Sequence, residues 1–199
     1  MKKFLFALVC FSSTVFSAPQ DVLAERLNQS SGFSADFTQQ VFSPEGDLIV
    51  AGEGDVKISR PNLFRWHTKT PDENLLVADG KTLWYFNPFV EQVTMMWLEQ
   101  ATNQTPFVLL TRNDPEDWAN YNIEQSGDDF TLVAKDAADN AGQFIVSIAE
   151  SGVVKRFFVI EQDGQRSEFT FSQFSAETPE KSNFVFDVPA GVDIDDQRN

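Results

Sequence analysis

The sequence predicts a mainly β domain, a curved antiparallel meander covered on one side by an N-terminal helix and a central helical insertion. Three observations carry that prediction. Alternating apolar and polar runs recur along most of the chain, turn signals separate them at hairpin spacing, and the alternation fails only near the start and between residues 97 and 118.

Taken in order, residues 1–17 read as a secretory signal peptide, with Lys2 and Lys3 ahead of an apolar stretch over 4–16. That stretch is shorter than the roughly 20 residues a membrane-spanning helix needs. Val15 and Ser17 suit the positions three and one before a cut, which favours cleavage before Ala18. A cut after Ala18 is the alternative, but it would put bulky Phe16 at the minus-three position. Cys10 lies inside the apolar stretch behind Leu8 and Val9, where a lipid-modified cysteine would follow the stretch and a small residue. The exported chain therefore has no cysteine, no disulfide and no thiolate site, and its fold rests on its core alone. No later segment is apolar enough for stable membrane insertion, and residues 18–199 read as one domain.

The first element is a helix in PQDVLAERLNQSSG, where Val22, Leu23, Arg26 and Leu27 share a face and Gly32 is the expected stop. The period then becomes two. Phe33, Ala35 and Phe37 alternate, residues 44–47 turn, and residues 55–59 alternate again. Turns are expected at Asp79-Gly80, Gly127-Asp128, Asn140-Ala141-Gly142, Ser151-Gly152 and Asp163-Gly164, with strands over 83–86, 130–133, 144–148 and 169–171 between them. In the interruption, residues 105–112 read as a short helix with Thr105 as N-cap and Pro106 in the first turn, and residues 115–118 as another turn of helix.

Composition narrows the function. The whole chain carries a formal charge of −15, and losing Lys2 and Lys3 with the signal takes it to −17. Nucleic acid, which needs a basic surface, is excluded as a partner, and standing attachment to anionic lipid is disfavoured. Such charge serves solubility, and it would also keep a lipid-handling protein off membranes between encounters. His67 is the sole histidine. Strand parity places it opposite Phe64 and Trp66, on an outer face, so no catalytic triad is expected around it. Gly52-Glu53-Gly54 lacks the third glycine and the following helix of a dinucleotide motif, and no cluster of metal ligands or phosphate loop is present. The expectation is a protein with no catalytic residues, no metal and no cofactor.

The large rings are the remaining feature. Residues 60–97 hold Phe64, Trp66, Trp84, Tyr85, Phe86, Phe89 and Trp97, three of the four tryptophans among them. A half-buried strand should be apolar on one face, yet Leu83-Trp84-Tyr85-Phe86 and Leu75-Leu76-Val77 are apolar on both. Either the sheet packs on both faces in a solid core, or its concave face encloses an apolar cavity under the helices. Met95 and Met96 would suit a site that accepts variable chains, and the helix over 105–112 could form a lid over it. A secreted lipid-acting hydrolase or another apolar-ligand-binding protein of β-barrel type is the alternative reading, the former needing a nucleophile near His67.

RPNLFRWH, PDENLLVADGKTLWYFNPFVEQVT, NQTPFVLLTRN and VPAGVDIDDQR together closely resemble the LolA family, the periplasmic carriers that take lipoproteins to the outer membrane of Gram-negative bacteria. The match runs across nearly all of residues 18–199, being most specific over 60–112 and least over 135–183. The resemblance implies an incomplete antiparallel β-barrel with a helical lid over a hydrophobic cavity. It implies a monomeric chaperone with triacylated lipoproteins as cargo, loaded by an inner-membrane LolCDE-type ATP-driven complex and unloaded to a LolB-type outer-membrane receptor. By the same resemblance Arg60 is the lid latch, Phe64 and Trp66 line the cavity, and residues 106–110 are the lid. Leu76, Trp84, Phe86, Phe89, Phe107 and Leu110 complete the expected lipid-binding set. Thr111 stands where a smaller apolar residue is expected, which bears on how Arg60 meets the lid.

Overall fold

The computed structural model describes residues 17–101, 107–135 and 142–198. The signal peptide and the Thr105–Pro106 cap lie outside these residues, apart from Ser17. Helix α1 (Pro19–Leu27) comes first, followed by β1 (Gly32–Phe42), β2 (Leu48–Ser59), β3 (Leu63–Thr70), β4 (Asn74–Asp79), β5 (Thr82–Asn87) and β6 (Gln92–Trp97). The alternation stops there for α2 (Leu98–Ala101), α3 (Phe107–Arg112) and α4 (Pro115–Trp118). It resumes in β7 (Tyr121–Ser126), β8 (Asp129–Ala134), β9 (Gln143–Ile148), β10 (Val154–Ile160) and β11 (Arg166–Ser175). A 3-10 turn (Lys181–Phe184) and β12 (Asp193–Asp196) end the chain.

All twelve strands form one sheet in the order β12-β6-β5-β4-β3-β2-β1-β11-β10-β9-β8-β7. Each neighbouring pair is antiparallel except β12 with β6, which is parallel. β1 joins the two meanders by pairing with both β2 and β11. The edge strands β7 and β12 do not pair, so the barrel stays open, in agreement with the expected incomplete barrel. The hairpin turns rest on glycines whose φ is positive, among them Gly80 (+103°), Gly127 (+64°) and Gly164 (+90°), a conformation that side chains with a Cβ rarely adopt. One boundary differs from expectation. α1 ends at Leu27 with Asn28 as its cap, and Gly32 instead opens β1, where a Cβ would overlap the Ile58 carbonyl.

The concave face holds the core. Register aligns Phe33 with Ile58, Ala35 with Val56, Val56 with Trp66, and Ile58 with Phe64. Beyond them Trp66 meets Leu76, and Phe64 meets Ala78. Phe130, Phe144, Phe157 and Phe169 bring the second meander into the same cluster, and α1 contributes Leu23 and Leu27. Each of these aromatic rings is at most 5% exposed, and burying one such side chain is worth about 1.5–3 kcal/mol. Arg26 clamps α1 to this meander, donating from Nη1 to Asp128 Oδ1 at 2.9 Å and to the Ile148 carbonyl at 2.5 Å.

Gly54 marks where the concave wall is tightest. A Cβ there would overlap both the His67 carbonyl and the Phe37 ring, which stacks on Trp66 with centroids 4.2 Å apart. The glycines of residues 52–54 thus serve packing, the role that glycine takes in a strand interior approached closely by its neighbours. Gly54→Ala is expected to destabilise the protein by about 1–3 kcal/mol, the usual cost of overpacking. A urea midpoint equal to that of the parent protein would show that the Phe37–Trp66 stack yields without strain.

Candidate functional site

The lid is built from the break in alternation. Val108, Leu109 and Leu110 of α3 are each at most 3% exposed and belong to the same cluster as Phe64, Trp66 and Leu83. The helix therefore lies against the concave face and closes it. Its C-terminal end is tied to α1 through Asn113, whose Nδ2 donates to the Ala24 carbonyl at 3.0 Å and to Asn28 Oδ1 at 2.8 Å. Asn113 Oδ1 accepts from Trp118 Nε1 at 2.9 Å, and Arg112 donates from Nε to Asp117 Oδ2 at 2.8 Å. Burial raises the Asp117 carboxyl above the usual range despite the facing Arg112.

Arg60 opens the β2–β3 connection and reaches from the sheet to the lid. Its Nη2 donates to the Leu110 carbonyl at 2.9 Å and its Nη1 to the Ser30 carbonyl at 3.1 Å. The acceptors are neutral, and Nε is buried without a hydrogen-bond partner. Burial lowers the guanidinium pKa to about 10, so the group stays cationic at neutral pH but is held less comfortably than in water. Because the acceptor on α3 is the Leu110 main chain, the side chain at 111 is not part of the contact. Thr111 is itself buried, with an unpartnered Oγ1.

The expected lining divides by face. Phe64 is 1% and Trp66 3% exposed on the concave side, Leu76 packs against them, and Leu110 meets them from the lid. Trp84 and Phe86 lie on the opposite face, contrary to expectation. The β4–β5 pairing sets Leu83 against Ala78 and Tyr85 against Leu76, which sends residues 83 and 85 inward and 84 and 86 outward. Phe89 also departs from expectation: it sits in the β5–β6 connection and is 91% exposed. Phe107 begins α3, and its side chain lies outside the described residues. His67 is on the outer face as expected, its Nε2 3.0 Å from Glu73 Oε1 and its Nδ1 3.5 Å from Asp55 Oδ2.

What sequence reasoning missed is the contribution of β1 and β11. Phe37, Trp66, Phe169 and Phe171 form one aromatic group, with Trp66 edge-on to Phe169 at 5.3 Å and to Phe171 at 6.1 Å. The alternation of Phe33-Ala35-Phe37 and of Phe169-Thr170-Phe171 carried that signal, but their approach to Trp66 across the intervening strands depends on sheet order and curvature.

The outward rings have another task. Phe186 packs on Trp84 at 5.6 Å and on Phe86 at 5.8 Å, while Phe184 is 2% exposed. Lys57 donates from Nζ to Asn183 Oδ1 at 2.6 Å. Residues 181–198 thus form a strap across the convex face that ends in the β12–β6 pairing. This accounts for the apolar character of residues 83–86 on both faces. Phe184→Ala is expected to cost about 3 kcal/mol and to accelerate tryptic cleavage after Lys181. An unchanged cleavage rate would mean that Phe184 does not hold the strap.

The site is thus an open antiparallel barrel whose aromatic concave face is covered by a short helix bonded to Arg60, a frame that defines a class of open-barrel proteins with a helix-covered apolar wall. The profile described as "Outer membrane lipoprotein carrier protein LolA" matches residues 28–187, and the chain belongs to the LolA family. It is 65% identical to the outer-membrane lipoprotein carrier protein of Aliivibrio fischeri strain MJ11 over the full length of both chains. It is 59% identical to that of Photobacterium profundum over 98% of each, and 57% identical to that of Vibrio cholerae over the full length of both. Among solved structures, an uncharacterised conserved protein from Thermus thermophilus has the same fold at a TM-score of 0.58 and 11% identity, covering 89% of this chain and 98% of its own. A LolA superfamily protein from Nitrosomonas europaea matches at a TM-score of 0.50 and 14% identity over 86% and 99%. Among the described residues, no helix is long and apolar enough to cross a membrane.

Proposed function

We propose that this chain is a periplasmic chaperone, exported by the signal over residues 1–17, that receives lipoproteins from an inner-membrane LolCDE-type complex and delivers them to a LolB-type outer-membrane receptor. Residues 18–199 act as one domain that shields the acyl chains of its cargo. Phe64, Trp66, Leu76 and Leu110 contact these chains once α3 swings away, and Arg60 is the latch that α3 must leave. The observation that carries this reading is the bond from Arg60 to the Leu110 carbonyl, which closes an apolar helix over an aromatic wall.

Magnitudes explain why a latch is useful. Burying acyl chain is worth about 0.8 kcal/mol per methylene, so ten methylenes supply roughly 8 kcal/mol. A carrier that retained all of that would hold its cargo too long. Opening costs the hydrogen bond from Arg60 to the Leu110 carbonyl, about 1.5–3 kcal/mol for a charged donor, and also exposes the apolar face of α3. Both costs are subtracted from cargo affinity, which leaves a complex that a receptor can unload. The chain has no nucleotide-binding loop, so the work of loading comes from the inner-membrane partner.

Mass spectrometry of material copurifying with the protein from periplasm tests the reading. Triacylated N-terminal peptides are the expected cargo. Their absence from protein isolated while outer-membrane delivery is blocked would overturn it.

A further inference from the structure

Beside the latch, between the β2–β3 connection and the C-terminal strap, lies a cleft of about 990 Å³. Its charged lining is Arg60, Lys81, Lys181 and Arg198 against Asp79 alone. Elsewhere the balance is reversed, since the whole chain has 15 cations and 30 acids. Asp79 remains an anion and acts electrostatically on Arg198, so it offsets only part of that charge. Burial works to raise its pKa, but the Thr82 and Lys81 amides and the Trp84 indole donate to it and bring the net shift downward. Arg198 is committed to Asp196 at 2.7 Å, whereas Lys81 and Lys181 are exposed and form no ion pair among the described residues. Trp97, 40% exposed, adds an apolar wall.

The orientation of Arg60 gives this charge a consequence. Nε and Nη2 lie on the same side of a guanidinium and together form the fork that grips a carboxylate through two parallel bonds. In Arg60 that fork is half unpaired: Nε is buried without a partner, and Nη2 is spent on the neutral Leu110 carbonyl. A carboxylate taking both would draw Nη2 off the lid while Nη1 kept its bond to the Ser30 carbonyl. Opposite charge makes that exchange favourable, because a pair ionised on both sides is stronger than a bond to a carbonyl.

We infer that this cleft is the docking site for an acidic segment of a partner protein, and that a carboxylate of that segment releases the lid by taking the Arg60 fork from Leu110. The inference rests on the reading of α3 as a lid. A peptide fits better than an anionic membrane, since the charge of the whole carrier opposes a charged bilayer, while a single chain enters a local basic cleft.

Bis-ANS fluorescence reports access to the aromatic interior. At physiological salt, a decaglutamate peptide should raise it about five-fold, decaglutamine should not, and the Lys81→Gln/Lys181→Gln variant should lose most of the response. An equal effect of the two peptides, a double variant that responds like the parent, or a response to phosphatidylglycerol vesicles but not to decaglutamate would each overturn the inference. Binding of a fluorescent triacylated lipopeptide is measured alongside. The double variant should bind it as the parent does, and failure of the parent protein to bind it would overturn the carrier reading itself.

Discussion

Arg60→Leu is expected to yield a folded protein whose lid stands open far more often and which takes up cargo but passes it on slowly. The bond proposed as the latch runs from a buried guanidinium to the Leu110 carbonyl at 2.9 Å. Two opposing effects decide the outcome. Losing the bonds to α3 and to Ser30 removes support for the closed state, about 2 kcal/mol for the lid bond alone, or roughly thirty-fold in the open-to-closed ratio. Removing a buried charge that lacks a counter-ion relieves a desolvation cost, which burial registers by holding the Arg60 pKa near 10. That relief offsets much of the loss in global stability without restoring the bond that aims at the lid. The urea midpoint should therefore move little while the rate of cargo transfer to the receptor falls at least about tenfold. Transfer at the parental rate would sink the latch mechanism. Arg60→Lys is a useful companion, because a lysine keeps the charge but cannot span Ser30 and Leu110 with a planar fork.

Phe64→Glu should have a still larger effect on cargo. Phe64 is 1% exposed and stacks on Trp66 with centroids 6.2 Å apart, beside Ala78 and close to the lid. A carboxylate in this position has no cationic partner within the apolar cluster, and burying it unpaired costs several kcal/mol. The least costly relief is for α3 to stay open and admit water, which leaves a wet wall where acyl chains should lie. Affinity for a triacylated lipopeptide is expected to fall by at least about a hundred-fold at neutral pH. The sign of the pH dependence follows from burial, which raises the pKa of the introduced carboxyl. Below that raised pKa the group is neutral, so the defect should become milder as pH falls. Phe64→Leu, which keeps an apolar side chain, should retain most of the binding. Parental affinity in Phe64→Glu would mean that Phe64 does not face the cargo.

The reach of sequence reasoning is clearest at residues 83–86. The run was legible as a strand with two apolar faces, and it is one. Which face met the cavity was not legible, because a one-residue change in register exchanges every side chain between the two faces. The turn at Asp79–Lys81 sets that register by pairing Ala78 with Leu83, so Trp84 and Phe86 face the strap. Phe89 misled for a related reason, since a large apolar ring in a hairpin connection carries no mark of where it points. In contrast, Phe64, Trp66 and Leu110 share one cluster on the concave side, because the alternation of β3 and the apolar face of α3 constrained them together.

Local pattern by itself determined the strands, the helical interruption, the opposite placement of His67 and Phe64, and the scarcity of reactive groups. These follow from periodicity and composition, which are properties of neighbouring residues. Tertiary structure decided that the β1 and β11 rings complete the concave wall, and that the convex face is strapped by residues 181–198. It also decided that the Arg60 fork is half unpaired beside Lys81 and Lys181. Each of these joins segments far apart in the chain, through strand order, register and the path of a loop, and a one-dimensional pattern holds none of the three.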